Sequence, residues 1–466
     1  MEKYKKLIMN SVVFAIGNLG SKIISVVMVP LYTYFLTTNE YGQVDLVTTA
    51  ISLLLPLVSL AIGQAVIRFA VSRSENDDRK EIFTNAIVIA LVASLVIILL
   101  YPLLKYFHFF DGILIYFSLL LIFQLFGDIL SQFTRGIGKV KEFAFNGILT
   151  TFVVAGLNLY FLIYLHLGID GYLLSMIIAA IVSDIYLFMV IKGFSYFSFR
   201  SLNKDLLKLM LSYSIPLIPN SIMWWLINGS TRYFILLFAG ASANGLFAVA
   251  NKIPSVLSIA TTIFFQAWQL SAFEEHESKD KGIFYTKVFK HYYIILFLFS
   301  SVLLIINKHL VTYTVSSDFK DSWKLVPFLL LAAIYKSFSS YLGTTYTASM
   351  ETKGVFTTTI YGAIISVIAN IVLIPLFGVY GAGIGTFLAF FFTWLLRLKD
   401  TKRLVGIQIN YKELFVLNGI FIIQTVTMHY LDGIVLIAVE VACFVLMVFY
   451  LRNTIISFIR LVLRKG

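Results

Sequence analysis

Runs of about 20 mostly apolar residues recur along the whole chain, separated by short polar or basic connections. Their apolar character extends to every face, which marks helices surrounded by lipid rather than surface helices with one apolar stripe. They fall at about 11–35, 42–68, 82–104, 113–134, 143–166, 171–191, 208–231, 243–271, 283–306, 325–349, 355–376, 379–396, 413–430 and 433–451. The pattern predicts an all-α integral membrane protein with about 14 transmembrane helices. Pro30, Pro56, Pro216, Pro219 and Pro254 fall within the first, second, seventh and eighth runs and predict bends there.

The runs also repeat. An offset of 203 residues lays Tyr41-Gly42 of EYGQVDLVTTAISLLL on Asn244-Gly245 of ANGLFAVANKIPSVLS, and an offset of 210 lays LGIDGYLLS, from Leu167, on FGVYGAGIG, from Phe377. Both matches indicate a six-span unit repeated in the same orientation. The expected organisation is a six-helix lobe over 1–200, a second over 201–404 related to the first by a pseudo-twofold axis, and two additional helices over 405–466.

Composition removes the soluble alternative: 59% of residues are hydrophobic and 13% charged, with a mean hydropathy of +0.89, against roughly a quarter charged in soluble domains. The net charge of +12 does not read as a nucleic-acid footprint, because the basic residues cluster at the ends of alternate runs. Most of the 36 Lys and Arg fall on one side of the membrane, leaving Lys105, Lys308, Lys320 and Lys324 on the other. That bias places both termini in the cytoplasm. The opening MEKYKK and its long apolar run read as a retained first span. Cys443 is the single cysteine, which excludes an intrachain disulfide.

Ionisable residues deep within the runs are the informative ones, since each costs roughly 2.5–3.5 kcal/mol on insertion scales. Lys22, Arg232 and Lys252 are expected to line a cavity for an anionic substrate, or else to pair with carboxylates or anchor a helix end. Asp45, Asp128 and Asp184 are candidates for ion coupling or for pairing those cations. Lys336 and Glu440 read as structural or interfacial. Among uncharged groups, Asn18, Gln64, Asn228 and Gln266 are candidate sugar contacts, with Gln124, Asn158, Asn220, Gln269 and Asn370 sharing the choice between a hydrated cavity and helix-to-helix bonding. Trp224, Trp225 and Trp268 offer faces for sugar stacking or form belt and core. His276 has no second histidine at ligand spacing, and GIGK at Gly136 lacks the spacing of a phosphate loop. The chain therefore reads as a transporter rather than an enzyme, with no metal and no cofactor beyond a coupling proton or sodium ion.

The stretch GNLGSKIISVVMVPLYTYFLTTNEYGQVDL, from Gly17 to Leu46, resembles the opening of the oligosaccharide-repeat-unit flippases of bacterial polysaccharide synthesis. These belong to the multidrug/oligosaccharidyl-lipid/polysaccharide exporter superfamily. The similarity extends in pattern to the six-plus-six repeat and to the Leu-Phe-Gly-x-x-Gly turn at Leu376 to Gly381. The resemblance implies alternating access by two lobes around a cationic cavity that accepts an undecaprenyl-pyrophosphate-linked oligosaccharide and delivers it to the outer leaflet of a bacterial cytoplasmic membrane. It also implies pathway partners, namely glycosyltransferases and a polymerase of capsule or O-antigen assembly. Lys22 lies inside the matching motif, whereas Arg232 and Lys252 rest on the repeat. Two competing functions are an ion-coupled multidrug or metabolite exporter, which would depend on carboxylates, and a membrane polysaccharide polymerase or ligase, which would require a larger outer loop than the one near Asn307.

Overall fold

A computed structural model describes residues 24–72, 76–274, 278–349 and 352–463. Lys22 and Asn18 lie outside the described residues. The described chain is helical, because a backbone in hydrocarbon must satisfy its polar groups within its own segment. The first unit contains α1 (Val29–Phe35), α2 (Thr38–Val58), α3 (Ile62–Ser72), α4 (Asn76–Tyr106), α5 (Leu114–Gly136), α6 (Val140–Asn158), α7 (Gly168–Val190) and α8 (Lys204–Ser214). There follow α9 (Ile218–Asn228), α10 (Ser230–Ala250), α11 (Lys252–Glu274), α12 (Lys281–Thr314), α13 (Val326–Ala348), α14 (Thr352–Phe377), α15 (Val379–Val405), α16 (Tyr411–Tyr430) and α17 (Gly433–Leu463). Twelve helical segments among the described residues are long and apolar enough to cross a bilayer. Of the remainder, α1, α11 and α16 fall where the sequence places its first, eighth and thirteenth spans.

Local chemistry sets the breaks. Thr37 and Glu40 form a reciprocal cap at the start of α2: the Glu40 N–H donates to Thr37 Oγ1 at 3.2 Å, and the Thr37 N–H donates to Glu40 Oε2 at 2.8 Å. Four residues beyond Pro56, Leu60 and Ala61 take left-handed φ values of 52° and 51°. There the Ala61 N–H closes back on the Pro56 carbonyl at 2.8 Å, so the second span is split into α2 and α3. In the seventh span, Pro216 opens a short 3-10 turn between α8 and α9. The sequence reading ends that span at 231, but α10 continues it to Gly240, where a single non-helical residue (φ 85°, ψ 171°) makes the turn. Glycine reaches that φ without the Cβ clash other residues meet. Arg232, the third residue of α10, accordingly lies inside the seventh span and not at the end of it.

The chain divides into two compact units, Met1–Trp225 and Leu226–Gly466. Within the first, α3 packs on α5, α5 on α4 and α7, and α7 on α6. Within the second, α11 packs on α13, α13 on α12 and α15, and α15 on α14, which is the same order. The core of the first unit joins Ile62 and Val66 of α3, Phe83 and Ala86 of α4, and Leu125 and Phe133 of α5 with Leu206 and Met210 of α8. The linker before α8 is tied down as well. Asn85 Nδ2 donates to the Asn203 carbonyl at 3.0 Å, and Asn203 Nδ2 donates to Glu81 Oε2 at 2.9 Å. In the second unit α16 docks on α12 through polar contacts, Tyr293 to Glu413 at 2.9 Å and Ser301 to Gln424 at 2.8 Å, and α17 packs on both.

Candidate functional site

In the second unit, two cations converge on one amide. Asn228 ends α9, and one turn further on Arg232 Nη1 donates to its backbone carbonyl at 3.0 Å. Lys336, near the middle of α13, donates Nζ to the Asn228 side-chain oxygen at 2.6 Å. Arg232 also lies 5.7 Å from the Phe247 ring centroid, and Lys336 lies 5.7 Å from that of Phe390. Both acceptors on Asn228 are amide oxygens, so neither of these bonds cancels charge, and the aromatic faces orient the cations without neutralising them. The sequence alone reads Lys336 as structural or interfacial. A lysine at the centre of a 23-residue apolar helix is nevertheless the signal that singled out Lys22. Lys252 opens α11, half-buried and partnered, and Gln266 lies further along the same helix.

The first unit holds carboxylates. Asp128 of α5 lies against Gly63 of α3 so closely that a Cβ on that glycine would collide with the carboxylate. Its Oδ1 accepts from Gln132 Nε2 at 3.3 Å. Asp184 of α7 lies against Gly127 of α5, where a Cβ would come within 2.9 Å of Oδ1. Asp184 Oδ2 is buried with no hydrogen-bond partner among the described residues. Since Gly127 and Asp128 are adjacent, the two acids occupy consecutive notches across α3, α5 and α7. A buried carboxylate oxygen without a donor carries a desolvation cost until a proton or cation meets it. Asp45 of α2 is half-buried and partnered, and Gln64, next to Gly63, is exposed.

Several other polar candidates join helices. Asn158 donates to the Tyr32 hydroxyl at 3.2 Å and accepts from Ser175 at 2.9 Å, and Asn370 donates to Thr231 Oγ1 at 3.0 Å. Trp225 Nε1 donates to the Thr49 carbonyl at 2.9 Å. Trp268 is buried and stacked on Tyr341 at 4.3 Å, which makes it core and not a platform for sugar. Glu440 accepts from Thr427 at 3.1 Å inside the contact between α16 and α17.

The sequence reading missed Arg397. It is only 4% exposed, and its guanidinium donates to Thr358 Oγ1 at 3.1 Å, Thr359 Oγ1 at 3.0 Å and the Ser339 carbonyl at 2.7 Å. It thereby ties α13, α14 and α15, with Gly343 leaving room for Nη1. The apolar run of the twelfth span stops at 396, whereas α15 runs on to Val405 and carries Arg397 inside the unit.

Two units with one helix order, crossing a bilayer many times and burying charge where helices meet, define a polytopic membrane protein of a transporter fold. The structure is similar to that of the lipid II flippase MurJ in an inward closed conformation, with a TM-score of 0.73 and 13% identity over 95% of this chain and 100% of that one. It is similar also to an inward-facing multidrug resistance MATE family transporter of the MOP superfamily, with a TM-score of 0.69 and 14% identity over 84% and 95% of the two chains. A MOP superfamily transporter from Pyrococcus furiosus matches with a TM-score of 0.54 and 14% identity over 86% and 96%. No curated protein matches the sequence. The family model described as polysaccharide biosynthesis protein matches residues 7–269, and the chain belongs to that family.

Proposed function

We propose that the protein is a flippase that carries an undecaprenyl-pyrophosphate-linked oligosaccharide from the cytoplasmic to the outer leaflet by alternating access, for surface polysaccharide assembly. The observation that carries this reading is the convergence of Arg232 and Lys336 on Asn228 within apolar helices. A pyrophosphate leaving water needs fixed positive charge. A guanidinium can grip it bidentately while an ammonium serves as a point charge. Lys22 and Lys252 complete the cationic set in this reading, and Asn18, Gln64, Asn228 and Gln266 supply hydrogen bonds to sugar hydroxyls. The isoprenoid tail stays in the bilayer while the headgroup passes. Asp128 and Asp184 take the proton or sodium ion that resets the cycle.

Family membership and a fold shared with a lipid II flippase support a lipid-linked cargo. The reading places the protein in a bacterial cytoplasmic membrane with both termini inside, where glycosyltransferases build the cargo and a polymerase consumes it. Losing two charge-assisted contacts, each about 1.5–3 kcal/mol, would weaken headgroup binding by about a hundredfold or more. The combined Arg232→Ala and Lys336→Ala variant is therefore expected to abolish surface polysaccharide in cells lacking the wild-type gene, with the protein still present in the membrane at its normal level. Full surface polysaccharide from that inserted variant would overturn the mechanism.

The acids packed on Gly63 and Gly127 favour one second reading, an ion-coupled exporter of drugs or metabolites. Loss of drug resistance in Asp184→Asn cells that retain normal polysaccharide would select it.

A further inference from the structure

The connection before α12 and the end of α15 are far apart in sequence, yet together they form one basic groove. Its volume is about 710 Å³, and its lining includes Lys279, Lys281, Lys287, Lys290, Lys402 and Arg403. Two glycines make the close approach possible. A Cβ on Gly282 would stand 2.7 Å from the Val405 carbonyl, and Gly406 ends α15 with a left-handed φ of 70°. Charge alone does not define a site, since the ends of membrane helices are basic for topological reasons. The partners of these cations are more specific. Lys290 pairs with Glu413 at 3.2 Å, and Lys402 donates to the Tyr411 hydroxyl at 2.9 Å with its Nζ 5.2 Å from that ring's centroid. Lys279, Lys281 and Lys287 have no ion pair or side-chain hydrogen bond among the described residues, and Asp280 is the acidic residue of the lining. Ile283, on the same wall, is 70% exposed.

We infer that this groove binds the headgroup of an anionic phospholipid from the adjoining leaflet. Lys279, Lys281 and Lys287, at the start of α12 and in the connection before it, offer ammonium groups free of ion pairs among the described residues, at the depth of lipid phosphates. The exposed isoleucine beside them suits an acyl chain and not a free anion in water. The site lies within the second unit and does not depend on the flippase reading.

The test uses the full chain in discs of phosphatidylcholine with increasing phosphatidylglycerol, and reads bound lipid by native mass spectrometry. Each Lys or Arg near a membrane surface contributes roughly fivefold in affinity for anionic lipid. The combined Lys281→Gln, Lys287→Gln and Arg403→Gln variant is expected to lower apparent affinity for phosphatidylglycerol about a hundredfold. The single exposed change Lys287→Glu, which leaves the packing intact, is expected to lower it roughly thirtyfold. Removing the same charge elsewhere, by Arg200→Gln, Lys204→Gln and Lys208→Gln, is expected to lower affinity far less than the groove variant. Equal losses in the groove and control variants, or no loss in the groove variants, would overturn the site. Inorganic phosphate that competes as well as the lipid would overturn the choice of ligand. Because no step of the assay requires translocation, its failure is separable from failure of the transport mechanism.

Discussion

The α3, α5 and α7 layer of the first unit and the α11, α13 and α15 layer of the second share a packing order and carry opposite charges. In the first, Asp128 and Asp184 lie on Gly63 and Gly127. In the second, Arg397 lies on Gly343, and Lys336 reaches from α13 to Asn228. Helix packing in lipid asks for a small residue at the close approach and a satisfied polar side chain above it, and the sign of that side chain is left open. A repeated scaffold can therefore carry two electrostatically distinct halves without any change in the path of its chain.

The contrast is most exposed at Arg397. Arg397→Ala removes three hydrogen bonds and leaves a void, and is expected to cost about 3 kcal/mol, read as a fall in thermal unfolding temperature in detergent. A cost no larger than that of Arg452→Ala, an exposed position of α17, would break the comparison. Gly63→Ala is expected to cost about 2 kcal/mol by forcing α3 away from the Asp128 carboxylate. The same change in an Asp128→Ala background should cost far less, and a cycle showing no coupling would mean that the acid does not set the spacing.

The two units also turn differently at matched positions, by a capping box at Thr37 and by a left-handed glycine at Gly240. Gly240→Ala is expected to cost about 1–2 kcal/mol and Thr37→Ala about 1 kcal/mol, measured by denaturant-free thermal melts. The reverse order would show that the cap, not the glycine, is the tighter constraint. The smallest stability change belongs to Asp184→Asn. Because one of its oxygens has no partner to lose among the described residues, unfolding should shift by less than about 1 kcal/mol while transport falls. A shift as large as that of Arg397→Ala would show that this acid is a structural tie like its basic counterpart.

The helices were legible because hydrocarbon leaves the chain few alternatives, and the buried acids were legible because a carboxylate inside an apolar run is conspicuous. The misses have physical causes. The stretch AGASANG around Gly240 has the small and polar look of a connection, but one residue suffices for the turn. RLKDTKR has the look of a cytoplasmic end, but α15 carries its first arginine into the unit by continuing for two more turns. The meeting of Lys336 with Asn228 joins positions 108 residues apart, which no single apolar run displays. The seating of each acid on a glycine depends on the register between helices, which no periodicity along a single strand of sequence encodes.

Leu206 and Met210 of α8 fill the notch between α3 and α4, so the first hydrophobic core closes only once the chain has been made as far as α8. During synthesis that notch stays open until the helix follows, and a chain stopped before Lys204 would carry an apolar surface for another molecule to fill.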